Sequence, residues 1–242
     1  MIQVRKLTPE QVAGICDHTF LQRPEVYRGQ ADDPLVAYDA AWRGFIEQTL
    51  SLNPMPYAVC VRPEEVGVAR GALPESINVA SVVGFPLGDR VPMAMKLSEI
   101  RFAIDHGATE IDTVLRWQAL REGREDDVLA DLKAVAEASH QARAIVKVIL
   151  EVCELSPAQI RRACELCAQA GVEFVKTSTG FGKGGATLEA LTMMRESFMG
   201  GIKLSGGVKA GNLGTLLAAA IGEEVEALDP LRVRIGESSL LT

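Results

Sequence analysis

Phe174-Val175-Lys176-Thr177-Ser178-Thr179-Gly180-Phe181 is the stretch on which the reading of this chain turns. A short apolar run delivers one lysine, Lys176, to its end, and small hydroxyl residues and a glycine follow at once. An ammonium at the end of a buried strand is costly unless it is paired or neutral. A neutral lysine is a nucleophile towards carbonyls and can form a Schiff base. A lone strand-end lysine can also simply reach solvent, so the neighbours decide its meaning.

Working outward from this run, the same alternation recurs in both directions. Short apolar strands are expected at Ile15–Thr19, Ala58–Val61, Asn78–Val83, Glu110–Leu115, Ala144–Glu151, Val172–Lys176, Gly201–Leu204 and Arg232–Ile235. Helical sequence separates them. Trp42, Phe45, Ile46 and Thr49 recur at helical spacing within Leu35–Leu50. Met93–His106 is stopped by Gly107, and helical sequence runs from the fourth strand to about Gln141. Thr8-Pro9-Glu10-Gln11 and Ser156-Pro157-Ala158-Gln159 both read as capping boxes with proline in the first turn. Gln22–Pro34 is polar, carries two prolines and a glycine, and reads as a long loop. Strand–helix alternation implies a parallel sheet, and eight units imply a (β/α)8 barrel, the TIM-barrel class of α/β fold. Only seven residues follow Ile235, so the last helix is expected to be short or missing. No linker divides the chain, and residues 1–242 read as one domain.

Composition narrows the function. The 242 residues are 48% hydrophobic and carry a net charge of −7, with no basic run or aromatic-basic interleaving, which argues against nucleic acid. An anionic substrate would need locally focused positive charge. No stretch approaches the length of a membrane span, and the N-terminus lacks a signal-peptide core. Five cysteines, an odd number, favour a reducing, cytoplasmic compartment over a disulfide framework.

Strand alternation sorts side chains by face. Val146, Val148 and Leu150 share the helix-facing side of the fifth strand, which leaves Lys147 inward. By the same parity Ile111 and Leu115 face out and Asp112 in, Val175 out and Lys176 in, Ile202 and Leu204 out and Lys203 in. Four consecutive strands thus send Asp112, Lys147, Lys176 and Lys203 into one interior, near the strand ends where barrels keep their catalytic groups. Three lysines against one aspartate are a poor way to stabilise a core. They have a chemical use, however. A nucleophilic amine near neutral pH requires a lysine shifted by about 3 units, about 4 kcal/mol. One neighbouring ammonium at about 4 Å, with an effective dielectric of about 20, supplies that much. Glycine-rich loops follow the sixth strand (Gly180 to Gly185), the seventh (Ser205-Gly206-Gly207) and the eighth (Gly236-Glu237-Ser238-Ser239), and such loops admit phosphate.

The chain resembles the deoxyribose-phosphate aldolases. The resemblance rests on Asp17-His18-Thr19, Ala58-Val59-Cys60-Val61, Val82-Val83-Gly84-Phe85-Pro86-Leu87-Gly88, Glu110-Ile111-Asp112, Lys147-Val148-Ile149-Leu150-Glu151, the Lys176 stretch, Ser205-Gly206-Gly207 and Arg234-Ile235-Gly236. It implies a class I aldolase of deoxynucleotide catabolism, needing neither metal nor cofactor. Such an enzyme cleaves 2-deoxyribose 5-phosphate reversibly to glyceraldehyde 3-phosphate and acetaldehyde. It implies a homo-oligomer, dimer or tetramer, whose partners are small aldehydes and sugar phosphates. By position Lys176 matches the Schiff-base lysine, Lys203 the lysine that perturbs it, and Asp112 with Lys147 the proton relay. Gly180, Gly206, Gly207, Gly236, Ser238 and Ser239 fall where the family binds substrate and phosphate. Asp17, Thr19 and Cys60 fall where it lines the pocket.

Departures from the family pattern bear on the substrate. Thr113-Val114-Leu115-Arg116, then Trp117, replace the usual Met-Val-Ile-Asn after Asp112. Leu204 replaces a small residue after Lys203 and is expected to repack the helix side only. Glu237 stands between Gly236 and Ser238, where the family has a small or neutral residue. A carboxylate there would weaken phosphate recognition unless it turns outward or is neutralised by Lys183 or Arg116. Two other readings therefore stand beside the first: the same chemistry on an unphosphorylated aldehyde, and a barrel that binds sugar phosphates without turnover.

Other features carry less. Cys164-Glu165-Leu166-Cys167 is a lone pair of cysteines inside a helix and reads as core packing. His18, His106 and His140 are scattered without metal-binding spacing, and His18 is expected to take a structural hydrogen-bonding role. Cys60 reads as a pocket wall.

Overall fold

The computed structural model describes residues 1–29 and 33–241. Eight parallel strands form the barrel: β1 (Asp17–Thr19), β2 (Ala58–Val61), β3 (Asn78–Val83), β4 (Glu110–Val114), β5 (Ile145–Ile149), β6 (Phe174–Lys176), β7 (Gly201–Ser205) and β8 (Val233–Gly236). Each pairs in parallel with the next. The ring closes between β8 and β1, where Cys16 bridges Ile235 and the Ile235 N–H donates to Ile15 O at 2.8 Å.

Nine α-helices lie among the described residues: α1 (Pro9–Ala13), α2 (Pro34–Ser51), α3 (Val66–Ala72), α4 (Met93–Asp105), α5 (Trp117–Arg121), α6 (Glu125–His140), α7 (Pro157–Ala170), α8 (Leu188–Ser197) and α9 (Ala210–Ile221). Helix α7 shows why these segments are helical. The Ser156 hydroxyl accepts the Gln159 N–H, the Gln159 side chain accepts the Ser156 N–H, and Pro157 occupies the first turn. Both ends of the reciprocal cap satisfy donors the helix itself leaves unpaired. Ile160, Ala163, Cys164 and Cys167 form its buried stripe, and Gly171 ends it at φ 76°. Thr8 and Gln11 cap α1 in the same way.

The structure adds three things to the sequence reading. The helical stretch after β4 is two helices, broken at Gly123, whose φ of 76° suits glycine. A two-residue antiparallel pair, Ile2–Gln3 with Glu224–Val225, ties the N-terminus to the segment after α9. The loop expected at Gln22–Pro34 holds a 3-10 turn at Pro24–Tyr27, and its residues 30–32 lie outside the described residues. The last helix is short, a 3-10 turn at Ser238–Leu240. No helix among the described residues is long and apolar enough to cross a membrane.

Face assignments hold. Val146, Val148, Leu150, Ile202 and Leu204 belong to the helix-side core. A separate apolar cluster of Leu21, Cys60, Ala80, Val82, Phe85, Val114 and Ile149 fills part of the barrel interior. The rest of that interior is charged.

Candidate active site

Asp112 stands at the centre of the charged interior. Its Oδ1 accepts from Lys147 Nζ at 2.8 Å, and its Oδ2 from Lys176 Nζ at 2.9 Å and Lys203 Nζ at 2.7 Å. The strands make this possible because Asp112 pairs in register with Lys147, and Lys176 with Lys203. The four residues that alternation sent inward do converge.

The cluster is larger than the sequence reading allowed. Asp17 also accepts from Lys203, and it pairs with Arg234, whose Nε lies 2.7 Å from Asp17 Oδ1. Arg234 also reaches Glu110 with both terminal nitrogens, at 3.2 and 3.0 Å, and its guanidinium stacks 4.1 Å from the centre of the Tyr57 ring. Glu110 in turn accepts from Lys147. The count is four cations against three carboxylates, which replaces the three-to-one excess inferred from sequence. Glu110 and Arg234 were missed, although strand parity signals both: Glu110 shares a face with Asp112, and Arg234 lies opposite the outward Ile235. Asp17, expected on the pocket wall, is fully buried within this network.

The network fixes charges. Burial opposes ionisation of Asp112, but the ammonium groups of Lys147, Lys176 and Lys203 outweigh it and hold the carboxyl well below its ordinary range. Asp17 is likewise opposed by burial, and Arg234, Lys203 and Lys147 bring it down to about 2. For Lys203, burial favours the neutral amine, yet Asp112 and Asp17 hold the ammonium well above the ordinary lysine range. Lys147 is raised in the same sense by Asp112 and Glu110 against burial. Lys147 and Lys203 are thus fixed cations in the free protein.

Above this floor opens a cavity of about 360 Å³ at the C-terminal ends of β1, β6, β7 and β8. Lys176 is the one lysine of the cluster that lines it. Of the other sequence candidates Thr19, Gly180, Gly206, Gly207, Gly236 and Ser238 also line it, together with Glu237, whereas Ser239 does not. Gly206 and Gly207 both take positive φ, 80° and 72°, and a Cβ on Gly185 would fall 2.1 Å from Gly206 O. The loops after β6 and β7 therefore touch backbone to backbone. At Gly236 a Cβ would sit 3.1 Å from Lys203 Cε. Cys60 is buried beside the cluster, Sγ 3.8 Å from Asp112 Oδ2, and burial pushes its thiol up. Expected on the pocket wall, it lies instead in the apolar cluster beneath the cavity, a thiol without thiolate character. Phe181 and Phe85 meet edge to face, ring centres 5.2 Å apart, linking the loops after β6 and β3.

Several sequence candidates point elsewhere. His18 stacks on Phe45 at 4.6 Å, and burial brings it down to about 4, so its structural role is packing. Cys164 and Cys167 lie buried in α7, as expected of core residues. Arg116 pairs with Asp89 at 3.8 Å, and Lys183 pairs with Glu154 at 3.1 Å, so neither cation suggested for Glu237 reaches it. Among the described residues no group of three His, Cys, Asp or Glu is placed to hold a metal ion.

The chain matches known proteins over most of its length. The DeoC/LacD family aldolase profile matches residues 37–241. A deoxyribose-phosphate aldolase of Alkaliphilus oremlandii is 40% identical over 210 residues, 86% of each chain. The solved structure of QR15, an aldolase, is similar with a TM-score of 0.75 and 30% identity, over 95% of this chain and 92% of that one. A tetrameric deoxyribose phosphate aldolase from Aeropyrum pernix shares the fold, at a TM-score of 0.72 and 24% identity over 96% and 89% of the two chains. An interior lysine cluster under a strand-end cavity, in a barrel with these relatives, leads to one conclusion: the chain belongs to the DeoC/LacD family of aldolases.

Proposed function

We propose that this aldolase cleaves 2-deoxyribose 5-phosphate to acetaldehyde and glyceraldehyde 3-phosphate, reversibly, with Lys176 as the Schiff-base nucleophile. The observation that carries the assignment of the nucleophile is access. Lys176 lines the cavity, whereas Lys203 lies buried beneath it with two carboxylates and Lys147 with three.

In the cleavage direction the neutral Lys176 amine adds to the C1 aldehyde, and loss of water gives the protonated imine. The C3 hydroxyl then loses its proton and becomes the new carbonyl. The C2–C3 bond breaks with its electron pair passing into the iminium, which leaves an enamine on Lys176 and releases glyceraldehyde 3-phosphate. Protonation of the enamine carbon and hydrolysis release acetaldehyde and restore the lysine. We assign the movement of these protons to Asp112 and Lys203, through water; the bond from Lys147 to the other carboxylate oxygen supports this. Lys203 also keeps a positive charge beside Lys176. Asp112 Oδ2 binds both ammonium groups and so couples the two.

Two further assignments accompany this one. The five cysteines are unpaired, which supports the cytoplasm. Likeness to the tetrameric Aeropyrum pernix protein supports a homo-oligomer.

The test is retro-aldol turnover of 2-deoxyribose 5-phosphate, with glyceraldehyde 3-phosphate detected by a coupled dehydrogenase. Turnover that is lost in Lys176→Met supports the reading. Calorimetric binding of the sugar phosphate with no turnover would overturn it in favour of a non-catalytic barrel.

A further inference from the structure

The turn after β8 is where the substrate end farthest from Lys176 would be held, and its groups are already engaged. The Ser238 hydroxyl accepts the Thr19 N–H at 2.9 Å and donates to Thr19 O at 3.0 Å, stitching this turn to the end of β1. Its one proton is therefore committed to the backbone. The Ser239 N–H is taken by the Glu237 carboxylate at 3.0 Å. Glu237 lines the same cavity as Lys176, Gly206 and Gly207. Its backbone is held in place, since Cys16 Sγ lies 3.4 Å from Glu237 O. Among the described residues it makes no ion pair, and Lys183 and Arg116 are held by other carboxylates.

We infer that Glu237 is a specificity-determining residue: it presents its own carboxylate in the distal subsite and handicaps a phosphate there relative to a hydroxyl. The inference rests on the Schiff-base aldolase reading for the identity of the substrate. A dianionic end group meets a like charge and finds a backbone donor occupied. A hydroxyl end group meets a hydrogen-bond acceptor instead. A carboxylate about 4 Å from a phosphate costs between about fivefold and a thousandfold in affinity, depending on how far the site is desolvated. The pocket therefore discriminates less between phosphorylated and unphosphorylated 2-deoxyaldoses than it would with a neutral residue at this position.

The experiment compares kcat/KM for 2-deoxyribose 5-phosphate and for 2-deoxyribose in the wild type and in Glu237→Gln. Glutamine keeps an acceptor for the Ser239 N–H and removes the charge. The ratio of the two constants, phosphorylated over unphosphorylated, should rise at least about fivefold, carried by KM of the phosphorylated sugar. An unchanged or lower ratio overturns the inference. Inorganic phosphate is titrated calorimetrically into both proteins as a readout that needs no turnover. Binding at least about fivefold tighter in Glu237→Gln supports the inference, and a smaller change or none overturns it. A wild type inactive on both sugars would thus defeat the aldolase reading while the phosphate titration still decides the role of Glu237. Thermal melts of both proteins check that the turn is intact. A loosened fold with both kcat/KM values reduced alike would count against a role in specificity.

Discussion

A single oxygen, Oδ2 of Asp112, accepts hydrogen bonds from Lys176 at 2.9 Å and from Lys203 at 2.7 Å. The nucleophile candidate and the lysine proposed to tune it thus share one anion. Removing either lysine therefore changes what the other's acceptor oxygen must satisfy.

Asp112→Asn should separate binding from proton transfer. The amide is nearly isosteric but carries no charge, so the imine still forms on Lys176 while turnover falls by about 10²–10⁴-fold, the range for loss of a general acid–base group. Single-turnover adduct formation measured beside steady-state kcat checks this. Near-normal kcat would remove Asp112 from the mechanism.

Lys203→Leu tests whether the fixed cation beside Lys176 tunes the nucleophile. Activity at neutral pH should fall and partly recover as pH rises, so the acid limb of the pH–rate profile moves upward. A profile of unchanged shape would rule out the electrostatic role.

Acid should unfold this protein through its interior. Asp17 ionises at about 2 in the folded state, against an ordinary carboxyl value of about 3.9. A depressed carboxyl stabilises the fold fully above its unfolded value, and that contribution is lost as pH falls through the folded one. Asp112 acts in the same direction. Urea unfolding should show stability declining from about pH 4 towards pH 2, with a shallower slope in Asp17→Asn. An equal slope in the variant would place the acid sensitivity elsewhere.

Glu151 should act on substrate affinity through the loop after β6. It sits at φ 53°, in the left-handed region, with its buried carboxylate accepting from the Thr179 hydroxyl at 2.5 Å and the Thr179 N–H at 3.3 Å. The same hydroxyl oxygen accepts the Phe181 N–H at 3.1 Å. A non-glycine residue at positive φ is strained and persists where the surroundings hold it. Glu151→Ala should raise KM about tenfold while changing kcat little, and Glu151→Gln should restore most of the affinity. Equal loss of kcat in both variants would mean that the carboxylate does more than hold the loop.

Alternation along single strands made the inward lysines and Asp112 legible, since Val146, Val148, Ile202 and Leu204 pack on the helices as their parity requires. The floor beneath them was less legible. Asp17 and Lys203 meet across 186 positions of sequence, and only closure of β8 on β1 brings them together. Parity alone shows which face Glu110 and Arg234 take, but their pairing depends on the height of each strand in the ring. The two-residue strands Ile2–Gln3 and Glu224–Val225 are too short to show any alternation. Glu237 was visible in sequence as an oddity, but its bond to the Ser239 N–H depends on the backbone of a turn.

Whether Lys176 forms the imine is decided by reductive trapping. The protein is incubated with acetaldehyde and borohydride, digested, and the peptides are read by mass spectrometry. One ethyl group is expected, located on Lys176. An ethyl group on Lys203 or Lys147 instead, or on no lysine at all, would contradict this assignment.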